Sequence, residues 1–236
     1  MATDDKLKVL RDGELKVTGR LVDASNATLY ANSTLDRNEI TCIYKPIAGE
    51  RPLWDFADGS LAHREYAAYL VSDYLDFNCV PLTILRDGPY GFGMVQEWIT
   101  IDDSIDLGSF FSTDHPKLRS MALFDAIINN TDRKIGHLLP VDEHRVLGCD
   151  HGVTFHCEDK LRTVLWQWAD ESFNEAELMT LQKAEKAFQG ELVERLEPYL
   201  TQEEISTTLN RVQTLLSRKR FPLPNPNWPA VPWPAF

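Results

Sequence analysis

Apolar and polar residues alternate with a period of two over much of the first hundred positions, which predicts strands rather than helices. The first two alternating runs flank a turn of small residues, so they predict a β-hairpin. A third run stops at Pro46, because proline has no N–H to donate to a neighbouring strand. In chain order, the predicted strands cover residues 14–22, 28–32, 39–45, 80–86 and 93–99.

Apolar residues follow helical spacing in one segment of this strand-rich region, and helical spacing then prevails in the rest of the chain. One helix is predicted over residues 61–75, with Ser60 as its N-cap. After Asp103 the remaining predicted elements are mostly helices, and a capping box at Thr201–Glu204 opens the last of them. These later helices cover residues 118–129, 174–189, 191–200 and 201–220.

The element order predicts an α+β fold of two lobes. We expect a β-rich N-lobe over residues 1–100 and a helical C-lobe over 101–220. Residues 221–236 form a tail rich in proline and tryptophan. Such a segment suits a strap packed on its own domain, a polyproline ligand, an interface or a membrane-facing wedge. We favour the strap or an interface with a neighbour, because the aromatic rings offer a large apolar area and proline presets the backbone.

Composition narrows the classes of partner. The 236 residues carry a formal net charge of −12, which argues against nucleic acid, since phosphate binding rewards a basic surface. No apolar run is long enough for a membrane span, and the N-terminus lacks the apolar core of a signal peptide. Four cysteines without a pairing pattern indicate a reducing compartment, so we expect a cytoplasmic protein.

Two carboxylates stand at the ends of predicted buried elements. The apolar run 121–128 leads into a polar loop with Asp132, and a short predicted strand leads to Asp150, 18 residues later. Magnesium-dependent phosphoryl transfer needs such a pair, one to orient a nucleophile and one to hold the metal. Either aspartate alone is equally typical of an ordinary turn.

Three segments, YKPIAGERPLWDF, NNTDRKIGH and CDHGVTFH, give the chain a family resemblance over roughly residues 8–220. It resembles the phosphatidylinositol 3- and 4-kinase-like family, as a small bacterial branch of the protein-kinase-like superfamily. The resemblance implies a bilobal protein-kinase-like fold with one helix in the N-lobe and a reduced helical C-lobe. It also implies ATP, with Mg²⁺ or Mn²⁺, and transfer of the γ-phosphoryl group to a hydroxyl of a small molecule, lipid or protein.

The resemblance assigns roles to five residues. Lys45 would contact the nucleotide phosphates and Glu65 would hold its ammonium in place. Asp132 would orient the attacking hydroxyl, and Lys134 would steady the transferred phosphoryl group. Asp150 would bind the metal.

His137 departs from the family pattern, which usually has a metal-binding asparagine five residues after the catalytic aspartate. Magnesium prefers oxygen ligands, so an imidazole there is a poorer ligand. Either His137 meets a second metal less tightly, or it contacts a phosphate, or the site holds one metal. The departure also leaves open a nucleotide-binding pseudokinase without turnover, and the fold leaves open adenylyl transfer.

Nucleotide contacts are also implied outside these loops. The hairpin turn would cover the phosphates through the small residues Ser25, Asn26 and Ala27. The connector between the lobes would contact adenine through Glu97, Trp98 and Ile99, although we expect Trp98 to fill the core rather than cover the base. A zinc site at Cys149, His151, His156 and Cys157 is disfavoured, because their spacing matches no usual zinc motif.

Overall fold

The structure is a computed structural model that describes residues 1–21 and 26–236. Within these residues the chain forms seven α-helices and seven β-strands. The helices are α1 (Thr3–Asp12), α2 (Leu61–Tyr74), α3 (Leu107–Phe110), α4 (Pro116–Ile128), α5 (Glu175–Ala187), α6 (Glu191–Leu196) and α7 (Gln202–Arg218). The strands are β1 (Glu14–Arg20), β2 (Leu29–Leu35), β3 (Asn38–Pro46), β4 (Thr83–Gly88), β5 (Gly91–Glu97), β6 (Leu138–Asp142) and β7 (Arg145–Gly148).

The N-lobe is a five-stranded antiparallel sheet in the order β1-β2-β3-β5-β4. Helix α1 packs on it and buries Val9 and Leu10 in the same core as Ala31, Tyr44 and Val95. The strands were predicted, whereas α1 was not, because this short segment is mostly charged and has only three apolar residues, Leu7, Val9 and Leu10. The sheet brings the end of β3, with Lys45, to the side of the lobe that faces α2.

The start of α2 differs from the prediction. The Ser60 side chain makes no capping hydrogen bond, and its hydroxyl donates to the Ala57 carbonyl at 2.6 Å instead. The Glu50 carboxylate accepts from the Leu61 N–H at 3.1 Å and from the Ala62 N–H at 2.8 Å. The cap therefore comes from a residue 11 positions upstream, and a carboxylate suits the positive end of a helix.

The C-lobe core surrounds α4, which is buried on nearly every side. The predicted capping box is confirmed at the start of α7: the Thr201 hydroxyl accepts from the Glu204 N–H, and the Glu204 carboxylate accepts from the Thr201 N–H. The predicted α+β architecture, a sheet-based N-lobe and a helical C-lobe, is confirmed. The lobe limits at residues 100 and 220 remain predictions. Of the helices described here, none has the length and apolarity to cross a membrane.

The tail at residues 221–236 contains no helix or strand and runs back along the C-lobe. The Ala230 carbonyl accepts from the Thr163 N–H at 3.0 Å and from the Trp166 indole N–H at 2.8 Å. The Ala235 carbonyl accepts from the Ile135 N–H at 2.8 Å. Of the four interpretations, the strap on its own domain is therefore the observed one, and we call residues 221–236 the strap.

Candidate active site

Three charged side chains that are distant in sequence meet between the lobes. The Lys45 ammonium at the end of β3 lies 2.5 Å from the Glu65 carboxylate on α2 and 2.8 Å from the Asp150 carboxylate after β7. The other Glu65 oxygen accepts from the His151 N–H at 2.8 Å. Groups from both lobes therefore hold the Glu65 carboxylate in place, and this carboxylate in turn holds the Lys45 ammonium.

Electrostatic interactions keep two groups of this cluster, Lys45 and Asp150, in their ionised forms. Burial alone favours a neutral amine, but the Asp150 and Glu65 carboxylates raise the pKa of Lys45 above its ordinary value. The Lys45 ammonium in turn holds the pKa of Asp150 well below its usual range. Lys45 therefore stays cationic and Asp150 anionic, which are the states that phosphate and metal binding require.

Asp132 lies beside this cluster and contacts two other cationic side chains. Its carboxylate lies 3.2 Å from the Arg162 guanidinium and 3.6 Å from the Lys134 ammonium. Burial raises the pKa of Asp132 above its ordinary value, although Lys134 and Arg162 oppose the shift. A raised pKa makes the carboxylate a better proton acceptor. Arg162 was not predicted, since nothing in its sequence neighbourhood marks it.

The loop that carries Asp132 rests on a buried ion pair. Arg133 and Asp125 are both fully buried and are joined by two hydrogen bonds of 2.8 Å. Arg133 also donates to the Cys149 carbonyl at 3.1 Å and contacts the His151 ring at 2.7 Å. Gly148 leaves room for this guanidinium, because a Cβ there would lie 2.9 Å from Nη1. The pair thereby joins the Asp132 loop to the Asp150 turn.

Sequence reasoning missed this pair, although a signal was present. Asp125 is the one acidic residue in the apolar run 121–128, and a carboxylate on the buried face of a helix calls for a cationic partner. Arg133 directly follows Asp132 in the polar loop, so its place in the sequence does not distinguish a structural cation from a catalytic one.

His137 lies beside Asp150, and its predicted contact with a metal or a phosphate stays a prediction. Its Nε2 lies 3.4 Å from the Asp150 carboxylate, and its Nδ1 accepts from the Lys134 N–H at 3.4 Å. Burial lowers the pKa of His137 to about 4, so the ring is neutral near pH 7.

The donor set fits a hard divalent cation. Asp150 is half-exposed in the cleft, and magnesium is usually held by one or two carboxylates together with substrate phosphates. Asp150 would be this chain's ligand to the metal, and His137 would lie next to Asp150. In residues 1–21 and 26–236, no three His, Cys, Asp or Glu side chains form a metal-binding group, Cys149, His151, His156 and Cys157 included.

A cleft of about 510 Å³ joins these residues. Lys45, Glu65, Asp132, Lys134 and Asp150 all line it. Asn26 and Ala27 of the predicted phosphate loop line it as well, whereas Ser25 lies outside the described residues. The Asn26 side chain accepts from the Arg51 N–H at 2.8 Å, which ties this turn to the loop before α2.

The connector lies apart from this cleft. The N–H groups of Glu97 and Trp98 donate to the carbonyls of Leu82 and Thr41, so in this conformation neither is free to reach adenine. Trp98 is 39% exposed, with its ring edge-on to Tyr30 at 5.1 Å between centroids. The expectation that Trp98 fills the core is therefore wrong, because its ring is exposed on the face of the sheet that also carries Ile43 and Lys45. Adenine contacts by Glu97, Trp98 and Ile99 remain a prediction.

Comparisons with known proteins place this site in context. No family model matches the chain. Among solved structures, the Golgi casein kinase with Mn and ADP bound superposes with a TM-score of 0.60 at 14% identity, covering 91% of this chain and 74% of that one. The Helicobacter pylori proinflammatory kinase CtkA superposes with a TM-score of 0.50 at 11% identity, covering 90% of this chain and 94% of that one. At these identities the likeness shows the fold alone.

Among curated proteins, Protein Rv2133c of Mycobacterium tuberculosis is 42% identical over an alignment of 268 residues. The alignment covers 99% of this chain and 96% of the relative. The name of that relative indicates no activity. The chain therefore belongs to the family of Protein Rv2133c, and its fold is protein-kinase-like.

Proposed function

We propose that this protein is an ATP-dependent phosphotransferase that transfers the γ-phosphoryl group to a hydroxyl acceptor. The observation that carries the proposal is the convergence of Lys45, Glu65, Asp132 and Asp150 on one cleft between the lobes. A buried lysine fixed by a glutamate, beside two aspartates in different ionisation environments, is a set that kinase-type chemistry uses. The kinase-like fold supports this assignment.

Each residue then has a defined task. Lys45 would contact the α- and β-phosphates, with Glu65 holding its rotamer. Asp132 would accept the proton of the acceptor hydroxyl while that oxygen bonds to the γ-phosphorus and the bond to the β–γ bridging oxygen breaks, releasing ADP. Lys134 and Arg162 would balance charge on the transferred group. Asp150 would hold Mg²⁺ or Mn²⁺, which supplies charge neutralisation on the phosphates when bound.

The finer family assignment is part of the same proposal. We place the Rv2133c family near the phosphatidylinositol 3- and 4-kinase-like proteins, because the middle residue of Asp150-His151-Gly152 is not phenylalanine as in protein kinases. We also propose a reducing, cytoplasmic setting, on the ground that all four cysteines are free thiols.

One observation favours a second candidate, a nucleotide-binding module without turnover. His137 stands where the resemblance puts a metal-binding asparagine, and its ring contacts Asp150 instead of adding an oxygen ligand. Such a module would bind ATP with a divalent cation and release no product.

The test is ATP turnover with Mg²⁺ or Mn²⁺ for the wild type and for Asp132→Asn and Asp150→Asn. We expect Asp132→Asn to lower turnover about 10²–10⁴-fold, the range for loss of a positioned proton acceptor. Asp150→Asn should also weaken metal-dependent thermal stabilisation by ATP, because it removes the metal's carboxylate ligand.

Glu143→Ala is the matched control, since Glu143 is an exposed carboxylate at the turn between β6 and β7. It should match the wild type in both measurements. Stabilisation by ATP without turnover would favour the binding module. Turnover unchanged in both aspartate variants would contradict the proposed function.

A further inference from the structure

The strap reaches into the candidate active site instead of merely covering the C-lobe. Trp228 and Trp233 line the same cleft as Asp132 and Asp150. The strap is also bonded to the catalytic loop, because the Ile135 N–H donates to the Ala235 carbonyl. Phe236 lies against Gly136, where an added Cβ would be 3.8 Å from its ring. The strap is therefore part of the wall of the site.

A cation joins the strap to the N-lobe side of the cleft. The Lys160 ammonium lies 4.6 Å from the centre of the Trp54 ring and 4.9 Å from that of Trp228. It also pairs with Asp55 at 2.9 Å, beside Trp54 in the loop before α2. Stacking of a cation between two indole rings is favourable and directional. It connects the loop before α2 to the strap beside the cleft.

Two of the indole rings at this cleft are nearly bare. Trp54 is 84% exposed and Trp233 is 91% exposed, and both line the cleft with Asp132 and Arg162. Exposed tryptophans grouped beside a reactive carboxylate mark a binding surface rather than a core. Flat apolar faces beside charged hydrogen-bonding groups suit a ligand ring that presents C–H groups on its faces and hydroxyl groups around its edge.

We propose that Trp54, Trp228 and Trp233, together with Arg162, form the acceptor subsite, and that the acceptor is a small hydroxylated ring with monosaccharide chemistry. The inference rests on the proposed function. A ring stacked on Trp54 or Trp233 would turn its hydroxyls towards the carboxylate of Asp132 and the guanidinium of Arg162. One of these hydroxyls would be the phosphoryl acceptor, and its proton would pass to Asp132.

The size of the cleft favours a small acceptor over a peptide. The cleft volume of about 510 Å³ lies within the range of small-molecule sites, roughly 300–1,000 Å³, and it must also take the phosphates of ATP. Lys160 contacts the Trp54 and Trp228 rings of this cleft, and the Trp233 ring remains 91% exposed for a small ring to stack on.

The test is saturation-transfer difference NMR of the full chain with glucose, galactose, ribose and glucuronate, and with a pool of serine-, threonine- and tyrosine-containing peptides. We expect ring C–H signals for at least one sugar, reduced at least fivefold by Trp233→Ala and by Trp54→Ala. Trp233→Phe should restore part of the signal, because the phenyl ring keeps a flat face. Tyr90→Ala is the control, since Tyr90 is 59% exposed and lies outside the cleft lining.

Each outcome decides the matter. Absence of a signal from every sugar, equal signals in the tryptophan variants, or signals from the peptides alone would overturn the subsite. Unfolding spectra of each variant show whether a lost signal reflects a lost fold, and the Trp233→Phe variant keeps the test decisive in that case. Sugar binding without ATP turnover would instead contradict the proposed function, and ATP turnover without sugar binding would contradict only the subsite.

Discussion

The buried ion pair beneath the catalytic loop gives the sharpest stability prediction, through the substitution Asp125→Asn. Asp125 and Arg133 are fully buried, and the carboxylate receives two hydrogen bonds from the guanidinium and a third, of 3.0 Å, from the Asn130 side chain. The substitution keeps the shape of the side chain and removes its charge. Arg133 is then left as a buried cation whose remaining partners are the Cys149 carbonyl and the His151 ring.

The expected cost follows from that burial. Breaking a buried ion pair by removing one partner costs about 3–5 kcal/mol, and a protein of this length loses about 2–4 °C in Tm per kcal/mol, so Tm should fall by about 6–20 °C. The loss is a large part of a typical folding free energy. Because Arg133 precedes Lys134 and contacts the Asp150 turn, ATP affinity should weaken as well.

Thermal and urea unfolding followed by circular dichroism measure this effect. The control is Glu191→Gln on α6, whose ion pair with Arg195 is exposed on both sides, so its loss should cost less than about 1 kcal/mol. The double variant Asp125→Leu with Arg133→Met removes both charges and should be more stable than Asp125→Asn. A Tm loss for Asp125→Asn no larger than that of Glu191→Gln would refute this reasoning.

Three further predictions concern the site and its support. Lys45→Met should lower ATP turnover about 10²–10³-fold, because it removes a preorganised phosphate-binding cation, and steady-state kinetics would contradict this if the loss were below tenfold. Since Asp132 accepts a proton only when ionised and burial raises its pKa, turnover should fall on the acid side at a pH above the ordinary carboxyl value. Arg162→Met should move that acid limb to still higher pH, because Arg162 lowers the pKa of Asp132, and a limb that stays in place or moves down in the pH–rate profile would count against it. Glu50→Gln should destabilise the fold by about 0.5–2 kcal/mol through loss of the α2 cap, more than Ser60→Ala does in urea unfolding, and the reverse order would show that Ser60 is the cap after all.

Much of the fold was readable from the sequence, because alternation and helical spacing follow directly from burial. The five-stranded sheet, α2 and the capping box at Thr201 were predicted from local pattern alone. Helix α1 and the Glu50 cap were not. The first carries few apolar positions, and the second depends on a contact between residues 11 positions apart, which no local pattern encodes.

The residues of the candidate site likewise differ in whether the sequence alone predicts them. Lys45, Glu65, Asp132 and Asp150 stand in recognisable segments, and the structure brings all four to one cleft. Arg162 and the tryptophans of the strap reach the cleft only through tertiary packing. A proline-rich segment has no periodic pattern that shows which surface it packs on. The sequence therefore limited the strap to a few alternative positions and could not distinguish between them.

The proposed function requires that this cleft hold a nucleoside triphosphate and its cation between Lys45 and Asp150. A crystal structure with a non-hydrolysable ATP analogue and Mg²⁺ tests it most directly. We expect phosphate oxygens within hydrogen-bonding distance of the Lys45 ammonium, the metal on an Asp150 oxygen, and the γ-phosphate facing Asp132. Phosphates bound elsewhere, or a metal held without Asp150, would contradict it.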